Sequence, residues 1–122
     1  MRDAAVVAQA KGEPLVLLVS LPGCVWCELL RRNYLVPMRQ EGVHAFQITI
    51  NDRKLAVNNF QGQASQGADI ASDYQAKVTP TLLLLDVQGQ ETAKRIEGVA
   101  SVDLIGALID ARLATARQSM LR

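Results

Sequence analysis

Apolar residues along this 122-residue chain fall into short runs with two different periods. Runs that are continuously apolar, or that alternate over a few residues, predict strands because successive strand residues point to opposite faces. The predicted strands are residues 15–20, 43–50, 82–86 and 91–96. The first is apolar without alternation, which predicts a strand buried on both faces. The Gln88-Gly89 turn is expected to join the last two strands as a hairpin.

Four other segments carry apolar residues at helical spacing or lie between helix start and stop signals. The predicted helices are residues 3–10, 24–35, 68–76 and 101–116. Asp3 and Ser101 are expected to cap the first and the last of them. Pro37 disfavours helix at the residue before it and is expected to end or kink the second helix there, so that this helix runs to about Leu35. The residues expected to pack the last helix are Leu104, Leu108 and Leu113.

The order of these elements predicts the α/β class, with a central sheet and helices on both of its faces. Residues 51–66 show no clear period and are expected to form an extended loop or insertion. A chain of 122 residues suits one domain that covers residues 1–122.

Composition excludes several classes of function. Hydrophobic residues make up 49% of the chain and charged residues 20%, which is typical of globular proteins and argues against disorder. The formal net charge of +1 and the lack of a basic, aromatic-rich window argue against nucleic-acid binding. The longest apolar runs are too short to span a bilayer, so the chain is expected not to cross a membrane.

The two cysteines of the chain, Cys24 and Cys27, lie where the first apolar strand leads into a helix. The two cysteines are three residues apart in a first helical turn, so their Cβ atoms lie on one face of the helix. These atoms are about 5 to 6 Å from each other, close enough for a modest adjustment to form a disulfide. The helix N-terminus favours thiolate over thiol at the first cysteine. Cys24 is therefore predicted to be the nucleophile of a disulfide exchanger, and Cys27 the thiol that resolves the mixed disulfide.

Two other interpretations of the cysteine pair stay open. A purely structural disulfide would close a loop of only four residues, which removes little entropy from the unfolded chain. A metal site would need two more soft ligands, for which the chain offers only His44 and no third cysteine. Redox chemistry is the favoured prediction, with a metal carrier as an alternative.

Further motifs follow in a fixed order after Cys24-Val25-Trp26-Cys27. They are Thr79-Pro80-Thr81 before an apolar strand, Gly89-Gln90 in the hairpin turn and Glu97-Gly98-Val99 before the last helix. With these motifs the chain resembles the thioredoxin superfamily, in particular the thioredoxin-related proteins of the bacterial periplasm. The resemblance implies a thioredoxin-like fold with a mixed central sheet. It also implies that Pro80 is cis and faces the disulfide, and that the backbone of Thr79 pairs with an extended substrate segment.

The resemblance also implies a function and partners. The expected activity is thiol–disulfide exchange with other proteins, reduction or isomerisation rather than oxidation, without a metal or organic cofactor. Expected partners are disulfide-containing substrate proteins and a redox protein that supplies electrons from its own dithiol. The protein is expected to be a monomer in the periplasm, after removal of a signal peptide, with the cytoplasm as the alternative. A non-catalytic binding or chaperone module is the rival function.

The chain departs from the superfamily at the active site. Thioredoxin has Gly-Pro between its cysteines, whereas this chain has Val25-Trp26, so the redox potential cannot be transferred. Trp26 is expected to form part of the substrate platform. Family members often bury an acid where this chain has Leu18, so another group or water must take the proton of the second thiol. Glu28 is a candidate, although an acid in a first helical turn is usually a solvated surface residue.

Overall fold

The computed structural model describes residues 1–121. Its helices are α1 (Arg2–Ala10), α2 (Val25–Leu30), α3 (Val36–Gln40), α4 (Gly67–Asp73) and α5 (Ile105–Ser119), and a π-helical turn (Arg31–Leu35) joins α2 to α3. Its strands are β1 (Leu15–Ser20), β2 (Ala45–Thr49), β3 (Val57–Asn58), β4 (Ala64–Ser65), β5 (Thr81–Leu85) and β6 (Ile96–Glu97).

Four strands form the main sheet in the order β2-β1-β5-β6. β1 runs parallel to β2 and antiparallel to β5, and β5 is antiparallel to β6, so the sheet is mixed. The short strands β3 and β4 pair with each other in a separate sheet. The predicted α/β class with a mixed central sheet is confirmed. No helix among residues 1–121 is long and apolar enough to cross a membrane.

Side chains of β1 alternate between two hydrophobic clusters, one on each face of the sheet. Val16 and Leu18 belong to a cluster with residues of α2, α3 and α5. Leu15, Leu17 and Val19 belong to the other, with residues of α1 and α4. All six residues of β1 are buried, which confirms the prediction from its continuous apolar run. Helices on both faces therefore fix β1, and with it the start of the segment that holds the cysteines.

The second predicted helix continues past Leu35, so its predicted end is wrong. In the π-helical turn the N–H of Val36 donates to the carbonyl of Arg31, and α3 then runs on to Gln40. Proline clashes with the carbonyl four residues earlier in a regular α-helix and lacks an N–H. Pro37 is the second residue of α3 and so lies in the first turn of this helix, where a proline is tolerated.

Both predicted side-chain caps are wrong. α1 begins at Arg2, so Asp3 lies inside its first turn and does not cap it. α5 begins at Ile105, four residues after Ser101, and no side chain caps it. The prediction that Leu104 and Leu108 are packing residues of the last helix is also wrong, because both are exposed. The buried residues of this helix are Ile105, Ile109, Leu113 and Ala116.

Two other segments differ from prediction. Residues 51–66 are not wholly loop, since they contain the β3–β4 hairpin. The partner strand expected over residues 91–96 is reduced to β6, with a single bridge between Leu85 and Glu91.

One close contact fixes the end of β2 beside α4. A Cβ at Gly67 would overlap the carbonyl oxygen of Thr49. Since backbone must shift to make room, we predict that Gly67→Ala lowers the free energy of unfolding by about 1–3 kcal/mol. Urea denaturation measures the loss.

The matched control is Gly106→Ala, the same change inside α5. There a Cβ would meet the hydroxyl of Tyr34 at 3.0 Å, which is the tip of a side chain rather than backbone. We expect a smaller loss for Gly106→Ala. Equal losses would contradict the view that the Gly67 site is limited by backbone contact.

Candidate active site

A tight turn connects β1 to α2 and presents the first cysteine. The N–H of Cys24 donates to the carbonyl of Leu21 at 3.1 Å. Gly23 has a φ of 81° at the third position of this turn, which is the left-handed conformation that a type II turn requires there. Pro22 occupies the second position, where its fixed φ suits the turn. The sequence Leu21-Pro22-Gly23 therefore places Cys24 at the start of α2.

Cys24 is the N-cap of α2, with extended backbone and a side chain that caps the helix. Its sulfur accepts a hydrogen bond from the N–H of Cys27 at 3.2 Å. The two cysteines are joined as a disulfide, with Cα atoms 5.2 Å apart. Cys24 is partly exposed, whereas Cys27 is only 4% exposed. A substrate can therefore reach the first cysteine more easily than the second.

Trp26 and Val25, the residues between the cysteines, are 43% and 73% exposed.

Thr79 and Pro80 lie immediately before β5, whose first residue, Thr81, pairs with Val19 near the end of β1. The Thr79-Pro80 segment therefore lies at the same end of the sheet as the turn that leads from β1 to Cys24. The Thr79–Pro80 bond is cis, as the resemblance implies, and the carbonyl of Pro80 accepts from the N–H of Gly98 at 2.7 Å.

Glu28 follows Cys27 on α2 and is held by two arginines. Its carboxylate accepts from Nε of Arg31 at 3.1 Å, from a second nitrogen of Arg31, and from Nε of Arg32 at 2.9 Å. The hydrogen bonds from Arg31 are the main reason that the pKa of Glu28 lies below its ordinary value. A carboxylate in this state stays ionised and is a weak base.

A cleft of about 660 Å³ borders the cysteines on the side of the turn that faces β2. Cys24 and Cys27 line it together with polar residues that include Glu28, Arg32 and Gln47. Thr79 and Pro80 do not line it, because β5 lies on the other side of β1.

Leu18, where a buried acid is common in the superfamily, is fully buried in the cluster beneath α2. Cys27 and Leu30 are buried three residues apart on α2, so Cys27 shares the helix face that packs over this cluster. The Cα partner of Leu18 on the neighbouring strand is the exposed Gln47. The neighbourhood of Cys27 is therefore apolar on its sheet side, while the cleft on its other side is lined by both polar and apolar residues.

Sequence reasoning did not identify the cleft or the contribution of Gln47. The alternation of β2 could have placed Gln47 on the same face as Ala45. Its position opposite Leu18 depends on the register of two strands that are far apart in the sequence.

Comparison with known proteins identifies the same fold. The family model of the thioredoxin-like domain matches residues 1–112. Thioredoxin h of poplar shares 17% identity over 89% of this chain and 84% of its own, with a TM-score of 0.62. Thioredoxin O1 of Arabidopsis thaliana, in its oxidised state, shares 16% over 91% and 87%, with a TM-score of 0.58.

A periplasmic protein is also similar in structure. The periplasmic thioredoxin SoxS of Paracoccus pantotrophus shares 16% identity over 85% of this chain and 99% of its own, with a TM-score of 0.54. At this level of identity, the structural likeness shows the fold alone. No curated protein sequence matches the chain.

Proposed function

The chain belongs to the thioredoxin-like family and is a thiol–disulfide oxidoreductase, and on that premise we propose that it reduces or isomerises disulfides of other proteins through Cys24 and Cys27. The observation that carries the proposal is the placement of the pair. Cys24 caps α2 and is partly exposed, while Cys27 is buried one turn further on. This asymmetry suits an attacking thiol and a resolving thiol.

The proposed reaction has two exchanges. The thiolate of Cys24 attacks one sulfur of a substrate disulfide, which breaks the substrate S–S bond and releases its other sulfur as a thiolate. The thiolate of Cys27 then attacks the Cys24 sulfur, so that the pair forms its own disulfide and the reduced substrate leaves. A dithiol protein returns the pair to its reduced state.

Trp26, Thr79 and Pro80 are proposed to hold the substrate. Trp26 is a large aromatic side chain that stays partly exposed beside both cysteines, so it can cover apolar substrate residues. Thr79 is half-buried and lies two residues before β5, where its backbone can pair with an extended segment. Pro80, held through its carbonyl by Gly98, would fix that segment beside Cys24.

We propose that the protein acts as a monomer in the periplasm. The likeness of the cysteine turn to periplasmic thioredoxin-related proteins supports this compartment. Fractionation of cells that express the full gene would place the protein. Sedimentation would give its oligomeric state.

The function is tested by turnover of a protein disulfide. The reduced protein should reduce the disulfides of insulin, or reactivate ribonuclease with scrambled disulfides, when a dithiol is supplied. Equilibration with glutathione buffers then gives the potential: a value near the reducing end of the known range, about −270 mV, favours a reductase, and one near −120 mV an oxidase. Binding of clients without turnover would favour a chaperone, and metal in the purified reduced protein a metal carrier.

We predict that Cys24 reacts faster than Cys27 with iodoacetamide at every pH. In the reduced protein, the free N–H groups of the first turn stabilise a thiolate at Cys24. Its alkylation should reach half the maximal rate well below pH about 8.5, the value for an unperturbed cysteine. Mass spectrometry of peptides after brief labelling separates the two sites. Faster labelling of Cys27 would reverse the assigned roles.

A further inference from the structure

The second exchange requires a base for the thiol of Cys27, and the buried surroundings of this residue contain none. Leu18, Leu30 and Leu82, in the cluster beneath α2, are almost completely buried and apolar. Among residues 1–121 the buried polar side chains are Ser20 and Thr81. Both are hydroxyls that already donate to backbone carbonyls, and an alcohol is not a base near neutral pH.

The cleft borders Cys27 outside this apolar cluster. The one carboxylate among its lining residues belongs to Glu28, and both of its oxygens already accept hydrogen bonds from guanidinium groups. An efficient general base has a pKa near the working pH. The hydrogen bonds from Arg31 lower the pKa of Glu28 below the ordinary value of a carboxyl group, which makes it a weaker base. The volume of about 660 Å³ is many times the roughly 30 Å³ that one water occupies in the liquid.

We propose that the proton of the Cys27 thiol leaves through this cleft to water, and that no side chain of residues 1–121 serves as its base. The inference rests on the proposed function. In the second exchange, the Cys27 proton passes to a water molecule and the sulfur attacks Cys24. The bond between Cys24 and the substrate breaks, and its electron pair leaves on the substrate sulfur. Hydration through the cleft stabilises the thiolate that attacks.

A small aromatic disulfide separates the two exchanges in time. The reduced protein is mixed with one equivalent of 5,5′-dithiobis(2-nitrobenzoate). Attack by Cys24 releases a first coloured thiolate and attack by Cys27 releases a second. Stopped-flow absorbance gives a rate for each. If the wild-type protein releases only one, the proposed function fails, irrespective of the cleft.

The cleft is narrowed by Asn33→Phe together with Gln47→Phe, two exposed positions that line it. Narrowing removes water from Cys27 and disfavours its thiolate, so the second rate should fall about tenfold, less than the loss of a well-placed base would cause. The first rate should change less than the second, because Cys24 is partly exposed whereas Cys27 is buried. Gln118→Phe, at an exposed position of α5 outside the cleft, is the control and should alter neither rate.

An unchanged second rate in a folded narrowed variant would overturn the proposal. Circular dichroism checks folding, and Gln47→Phe alone carries the test if the double variant does not fold. Exposed β-strand positions tolerate aromatic residues well, so this single variant is expected to fold.

Glu28→Gln tests the second half of the proposal. Without a protein base, the logarithm of the second rate should rise with unit slope between about pH 5 and 8, since it follows the thiolate fraction of Cys27. Glu28→Gln should keep this profile and should not slow the reaction. A second rate that falls by more than tenfold in Glu28→Gln and that Glu28→Asp restores would instead identify the carboxylate as the base.

Discussion

Cys27→Ser is expected to accumulate as mixed disulfides with substrate proteins, whereas Cys24→Ser should form almost none. The first variant keeps the partly exposed sulfur at the N-cap of α2 and loses the buried sulfur that would release the substrate. The second keeps only Cys27, a residue that is 4% exposed. Both variants should lose turnover of protein disulfides by several orders of magnitude, because each removes a sulfur that forms or breaks a bond.

Non-reducing electrophoresis of proteins trapped by acid quenching, with and without dithiothreitol, measures the mixed disulfides. The double variant with both cysteines changed to serine is the control for noncovalent association. Similar trapping by the two single variants would indicate unselective thiol chemistry and would contradict an ordered exchange. Turnover that survives in Cys24→Ser would remove Cys24 from the reaction altogether.

Elements with a continuous apolar run could be predicted closely from sequence. β1 has the predicted bounds, and β5 lies one residue earlier than predicted. A strand that is buried on both faces must lie inside the sheet, so its apolar run marks its position in the sequence closely. The helix ends were harder to predict, because they depend on packing rather than on a local signal. Pro37 predicts the end of an α-helix, yet the chain continues through the π-helical turn into α3, which has Pro37 in its first turn.

The start of α5 shows the same limit. Ile105 and Ile109 face the core, and Leu104 and Leu108 precede them by one residue, which is about 100° around the helix. Either pair has helical spacing, so the sequence pattern alone does not decide which one is buried. Tertiary packing chooses Ile105 and Ile109.

The cysteine pair could be predicted because its chemistry follows from local structure. A strand, a turn and a helix start are all encoded within residues 15–30. The cleft could not be predicted, because it is the parallel pairing of β2 with β1 that places Gln47 beside the cysteine turn. Residues joined by such long-range pairing share no sequence signal in a single chain. The sequence did indicate that Leu18 stands where superfamily members often have a buried acid. The effect of an acid at this position can be measured directly.

Leu18→Asp is expected to destabilise the protein by more than about 3 kcal/mol near neutral pH. Removal of a large buried aliphatic side chain costs about 2–5 kcal/mol, and the carboxyl adds the cost of burying a polar group. Leu18 is fully buried between β2 and β5 and does not line the cleft. The matched variant Leu18→Asn has the same shape without a charge, and urea denaturation compares the two.

The pH dependence separates burial from hydration at this position. Burial raises the pKa of the new carboxyl in the folded protein above its unfolded value of about 3.9. Below that pH the acid is protonated in both states, and Leu18→Asp should be about as stable as Leu18→Asn. As the pH rises, only the unfolded chain ionises, so Leu18→Asp should lose about 1.4 kcal/mol per pH unit until the folded pKa is reached. Equal stability of the two variants up to pH about 7 would mean that water already reaches the Leu18 site, since a hydrated carboxyl keeps its ordinary pKa. The proton of Cys27 would then have a second way out on the sheet side of α2, and the cleft would not be its sole exit.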